Sequence, residues 1–260
     1  MVPVRIANLL TVIASVFVAS LAQAGYAQPE GEELSRRALE RQQKGHPDEA
    51  VEMYRQVVDL REKLLGPQHK DVAAALNNLG VALRLAGRAA EADPVFRRAL
   101  QIAEASSDRR LLATVLAGLG ATLVDAGEYA RAEPVLRRSL ALFDAAVGPD
   151  SLESAEALNN LALLYRRTGD MARAQDQLER ALPLMEKHLG GLDSSLAIAL
   201  NSMFVVLAEQ KQWDRAEPFL RRALAIGQEV FPDSAQMSEF RENLTLLNAH
   251  RSRAKRKAPF

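Results

Sequence analysis

The chain has 260 residues, of which 48% are apolar and 5% aromatic; this exceeds the roughly 100 to 200 residues of one ordinary domain, and the leucine- and alanine-rich balance favours helices. Zero cysteines exclude a disulfide scaffold, a thiol nucleophile and cysteine-ligated metal centres. Lys+Arg and Asp+Glu both number 33, so the chain as a whole has no electrostatic claim on nucleic acid.

At the amino end, Arg5 is followed by no charged residue until Glu30, and the run from Ile6 to Ala22 is apolar apart from Asn8, Thr11, Ser15 and Ser20. Ala22-Gln23-Ala24 then has the small-x-small form that signal peptidase accepts, and Gly25-Tyr26-Ala27 offers a second cut. Residues 1–27 are therefore expected to be an export signal, which places the mature chain in the periplasm or outside the cell. The alternative is an uncleaved membrane anchor over residues 6–22, since roughly 20 apolar residues span a bilayer.

From residue 31 to 236 the chain repeats. Ala75-Leu76-Asn77-Asn78-Leu79-Gly80 returns as Ala157-Leu158-Asn159-Asn160-Leu161-Ala162 and as Ala199-Leu200-Asn201-Ser202-Met203-Phe204, with Val115-Leu116-Ala117-Gly118-Leu119-Gly120 between them. The leucines at 76, 116, 158 and 200 mark a nearly constant period, and each is followed at one fixed offset by Arg97-Arg98-Ala99-Leu100 or its equivalent. Leu76, Leu79 and Leu83 make one helical stripe, and Ala92, Phe96, Ala99 and Leu100 make a second. Gly87, Gly127 and Gly169 sit where the first helix of each pair must end and the chain reverse. Gly66-Pro67, Gly148-Pro149 and Gly190-Gly191 end the second helices, and His69, Ser151 and Asp193 are placed to cap the next. Pro94, Pro134 and Pro218 are expected near the first turn of the second helix, where a missing amide hydrogen costs least.

This pattern of Leu76-x-x-Leu79-Gly80-x-x-Leu83 followed by Ala92, Phe96 and Ala99 resembles the tetratricopeptide repeat. The long period, the Leu-Asn-Asn-Leu core and the segment from Leu65 to Ala73 resemble its kinesin light chain subclass. The resemblance covers about residues 33 to 236. It implies an all-α, right-handed α-solenoid of about five helix-turn-helix repeats whose first helices line a concave groove for extended peptides or partner helices. The repeats fall at about 31–70, 71–110, 111–152, 153–194 and 195–236. The first departs from the pattern at Arg37 and Arg41, as an end repeat facing water would. Residues 237–250 are expected to form a capping helix with Phe240, Leu244 and Leu247 on one stripe, and 251–260 a disordered basic tail.

Asparagine is a mediocre helix former, yet Asn77, Asn78, Asn159, Asn160, Asn201 and, with them, Ser202 recur mid-helix beside the core leucines. An amide both donates and accepts, so a ladder of them could hold the backbone of a bound peptide; the alternative is that they bond to the neighbouring repeat. Arg84, Arg166 and Arg167 lie two turns further on, near the same faces, and are candidates for a ligand carboxylate. At repeat three, Ala117 and Gly118 leave a gap in the ladder and room for a pocket. The arginine pairs 97–98, 137–138 and 221–222 belong to second helices and read as outer-face charges. No phosphate loop, nucleophile elbow, HExxH helix or calcium loop occurs, and His46, His69, His188 and His250 are dispersed. The sequence thus points to a non-enzymatic scaffold without cofactor or metal. Its expected partner is a protein or peptide, not nucleic acid, with a membrane involved only if the amino-terminal segment is retained. Alternatives are a self-associating envelope module and, further off, a small-ligand carrier or hydrolase.

Overall fold

The structure, a computed structural model, describes residues 29–232 and 234–257; the expected export signal lies outside the described residues. The helices are α1 (Pro29–Gln43), α2 (Pro47–Leu65), α3 (Lys70–Leu85), α4 (Ala89–Ala105), α5 (Arg109–Asp125), α6 (Tyr129–Val147), α7 (Leu152–Arg167), α8 (Met171–Leu189), α9 (Ser194–Glu209), α10 (Trp213–Val230) and α11 (Ala235–Lys257). No strand occurs among the described residues.

Successive helices pack as five hairpins, α1·α2 to α9·α10, with α11 packed on α10. Each first helix from α3 onward also touches the next first helix, α3 with α5, α5 with α7, α7 with α9 and α9 with α11. The first helices therefore form the inner wall of a solenoid and the second helices its outer wall. Within each hairpin, positive-φ glycines make the reversal at Gly45, Gly87, Gly127 and Gly169; at the fifth hairpin Lys211 takes the same conformation, with φ 62°. The expected caps are formed: the His69 ring accepts from the Asp71 amide, Ser151 Oγ from the Ser154 amide and Asp193 Oδ1 from the Ser195 amide.

Small residues set how closely the helices approach. A Cβ on Gly80 would lie 2.7 Å from the Phe96 ring, and one on Gly120 would lie 2.5 Å from Leu136, so each first helix packs its glycine directly on the large residue of its partner. Phe204 takes the corresponding place in the fifth hairpin and is fully buried. Arg37 and Arg41 of α1 are exposed, as an end repeat requires. On the outer wall, Arg98, Arg138 and Arg222 pair with Glu62, Glu104 and Glu186 of the preceding second helix at 2.5, 2.9 and 2.7 Å. Their companions Arg97, Arg137 and Arg221 pair with Asp93, Glu133 and Glu217 one turn back.

Two expectations need correction. Pro94, Pro134 and Pro218 lie inside their helices, not in the first turn, because these helices already begin at Ala89, Tyr129 and Trp213. The carboxyl-terminal helix does not stop at 250 but continues to Lys257, so the basic run expected to be disordered is helical through that residue. His250 is consequently within a helix, where its ring stacks on Trp213 with centroids 4.3 Å apart.

Candidate functional site

The repeat period places Asn77, Asn159 and Asn201 on the inner face of α3, α7 and α9, with Ala117 of α5 between the first two. Instead of lining a wide wet trough, these amides are enclosed. Asn77, Asn78, Asn159, Asn160, Asn201 and Ser202 are all buried, as are Arg84 and Arg166; Arg167 is half-buried. Continuous buried runs such as Val72–Arg84 and Ser154–Arg166 show that the first helices are covered on every side by their own second helices, the preceding second helices and each other. Ala113 and Ala117 of α5 pack with Phe143 of α6 and Ala157 of α7, the alanines being small side chains that let these helices approach closely.

The expected gap at repeat three is filled and is no pocket. A Cβ on Gly118 would lie 2.4 Å from the Phe96 ring and 3.2 Å from Asn77 Oδ1, so glycine there admits both the ring of the preceding hairpin and the neighbouring amide.

The polar residues divide by what they bond. Asn201 is held by α11: its Nδ2 donates to Glu239 Oε1 at 3.2 Å, and Asn243 Nδ2 donates to its Oδ1 at 2.8 Å. Arg84 Nη1 donates to Asp125 Oδ2 at 2.8 Å, joining repeats two and three. By contrast Asn77 Oδ1, Asn159 Oδ1, Asn160 Oδ1 and Ser202 Oγ are buried without a hydrogen-bond partner, as are Arg166 Nε and Nη2 and Arg167 Nε. Burial holds the Arg166 guanidinium below its ordinary pKa, opposed by the charges of Glu239 and Glu209.

Two inner-wall acids were not singled out from the sequence. Glu156 stands three residues before Asn159 on the same face of α7, with Oε1 buried and unpartnered. Burial raises its carboxyl well above the usual range, reinforced by Glu153 and Asp193 and opposed by Arg110. Glu239 is also raised by burial, opposed by the charge of Arg166 and the hydrogen bond from Asn201. Asn243 completes the set. It follows Asn201 by one full repeat, so the period could have found it, and its buried bond to Asn201 leaves the Asn243-Leu244-Thr245 triplet unavailable as a glycosylation acceptor.

α11 therefore occupies the place of a sixth first helix. Glu242, Thr245 and Ala249 stand at the positions that are Leu76, Leu79 and Leu83 in the second repeat, and all three are exposed. That face lacks the leucine-rich stripe on which a second helix packs in repeats two to five.

Models of the tetratricopeptide repeat match residues 34–105, 111–187 and 196–235. No curated protein matches the chain. Among solved structures, BtubC (BKLC) from P. vanneervenii is 26% identical, with 83% of this chain and 89% of that one covered at a TM-score of 0.61. A P. anserina putative kinesin light chain with nearly identical TPR-like repeats is 21% identical, with 76% and 95% covered at 0.55. The apo form of RapI is 17% identical, with 87% and 86% covered at 0.59. With the repeat models spanning most of the described solenoid and the period, caps and interlocking glycines in place, the chain belongs to the tetratricopeptide repeat family.

Proposed function

We propose that the protein is a non-enzymatic interaction scaffold, acting outside the cytoplasm, that binds an extended peptide or helix of a protein partner along its inner wall. The observation that carries this reading is the unspent bonding capacity of Asn77, Asn159, Asn160, Ser202 and Arg166 in buried positions. Each such group costs about 1 to 3 kcal/mol when left unpaired, and a bound backbone supplies the missing donors and acceptors. Asn201 and Arg84 play a different part, since α11 and Asp125 already hold them. Repeats two to five then form the reading stretch. Because each hairpin contacts only its neighbours, small rotations between hairpins open the wall along its length.

The lack of that leucine-rich stripe on α11 argues against end-to-end assembly of copies through the carboxyl-terminal repeat. The recess between α6 and α8, lined by Arg137, Leu140, Asp144, Tyr165, Arg173 and Arg180, does not favour a carrier or hydrolase. Arg137 there bonds Glu133 and Tyr165, and Arg173 bonds Asp170.

The test is affinity capture from the native cell envelope with wild type and an Asn77→Ala, Asn159→Ala, Asn160→Ala variant whose melting is checked in parallel. A partner retained by the wild type and lost by the folded variant supports the inner wall as the site; identical capture by both overturns it. Mass spectrometry of the exported protein should find a new amino terminus at Gly25 or Gln28. An intact Met1 in the envelope fraction would establish the anchor instead.

A further inference from the structure

The basic run at the end of α11 is not absorbed by the inner-wall reading. α11 runs antiparallel to α10: Phe240 packs edge-on against Phe231 at 5.8 Å, His250 stacks on Trp213 at the start of α10, and Arg251 bonds Glu217 one turn further in. Past this anchor the helix continues through Ser252–Lys257, an overhang of about 9 Å at 1.5 Å per residue. The sequence from Arg251 to Lys257 carries Arg251, Arg253, Lys255, Arg256 and Lys257, and no acid occurs from Asn243 to Phe260. Residues 1–250 hold 28 basic and 33 acidic groups. The molecule is thus a negatively charged body with a positively charged helical tip.

One or two cations suffice to complement a helix carboxyl end; five in so short a run exceed that need. At 100° per residue, positions 251 and 255 fall on one side of the helix, 253 and 257 on the opposite side, and 256 between them. These register positions form no stripe along one flank, and a run of cations at a helix end matches a surface dense in anions by charge. No aromatic residue lies among these cations, as base stacking on a nucleic-acid strand would require. The acidic body, repelled by the same surface, would orient away from it.

We propose that the α11 tip is an electrostatic docking element for an anionic lipid surface, holding the solenoid with the side of its α9–α10 turn toward the bilayer. This surface is separate from the inner wall and does not depend on what binds there. A juxtaposed polybasic segment attracts anionic headgroups and loses that attraction within a Debye length, about 10 Å at 0.1 M salt and 3 Å at 1 M.

The experiment is cosedimentation of the full chain with vesicles of neutral phosphatidylcholine and with vesicles containing about 30% phosphatidylglycerol. The wild type and an Arg253→Gln, Lys255→Gln, Arg256→Gln, Lys257→Gln variant are compared. Any adsorption through residues 6–22 is common to both proteins and cancels. The bound fraction of wild type should rise about tenfold from neutral to anionic vesicles at 0.1 M salt and fall back at 1 M, whereas the variant should treat both vesicles alike. Equal wild-type binding to the two vesicles overturns the proposal, as does a variant that keeps the anionic preference. So does tighter binding of the wild type to a duplex DNA oligonucleotide than to the anionic vesicles. Circular dichroism confirms that the variant is folded.

Discussion

Lys211 holds a backbone conformation that glycine holds at the other four hairpin reversals. A side chain in the left-handed region costs about 1 to 2 kcal/mol, offset in part because lysine restricts the unfolded chain more than glycine does. Lys211→Gly should therefore stabilise the protein by about 0.5 to 1 kcal/mol, read as a rise in the urea midpoint with an unchanged slope. A fall would mean that the lysine side chain makes a contact worth more than the strain. Glu156 is a second residue working against the fold. Its native pKa is raised by burial, so the proton is bound more tightly in the folded state than in the unfolded one. Stability from that group is complete below the ordinary carboxylate range near 4.5 and is lost as pH rises through the native value. Glu156→Gln should match wild type at pH 4 and exceed it at pH 7 to 8, with each kcal/mol appearing as about 2 to 4 °C in Tm. A pH-independent difference between the two melts would show that the carboxyl does not titrate in the buried wall.

At the scale of the helices, α11 shows what was legible in the sequence and what was not. The hairpins, their reversals and their caps follow from apolar spacing, glycine and short polar side chains, all local signals that each repeat states again. The sequence also marked Asn201 as a residue with a hydrogen-bonding task, but its partners Glu239 and Asn243 stand a whole repeat further along the chain. Only the packing of α11 against α9 brings them together. The burial of the amide ladder was equally hidden, because inner radius depends on how every helix pair tilts. The filling of Gly118 by Phe96 has the same origin: the small residue was visible, the neighbour that uses it was not. Asn243→Ala would leave the Asn201 Oδ1 buried without a donor, at a cost of about 1 to 3 kcal/mol. Hydrogen exchange should speed up along α11 and the facing turn of α9 while α3 and α4 keep their protection. Exchange rising uniformly in all helices would mean that α11 is not a separable closing element.

At the scale of the molecule, stability is a chain of nearest-neighbour interfaces, not one central core. The outer ion pairs of Arg98, Arg138 and Arg222 repeat at every such interface they reach, yet their arginines are about half exposed, and pairs of this kind contribute less than about 1 kcal/mol each. Cohesion between hairpins therefore rests on the apolar interlock and on buried links such as Arg84 with Asp125. Leu158, 2% exposed in α7, lies midway along this chain. Leu158→Ala should cost about 2 to 5 kcal/mol as a buried cavity substitution. In a nearest-neighbour solenoid that loss falls on the interfaces of repeat four, so the first two hairpins should keep their exchange protection at urea concentrations where α7 to α10 have lost theirs. A single transition, shifted as a whole with all helices exchanging together, would show that the five hairpins unfold as one unit. Any opening of the inner wall to admit a partner would then have to be a motion of the entire stack.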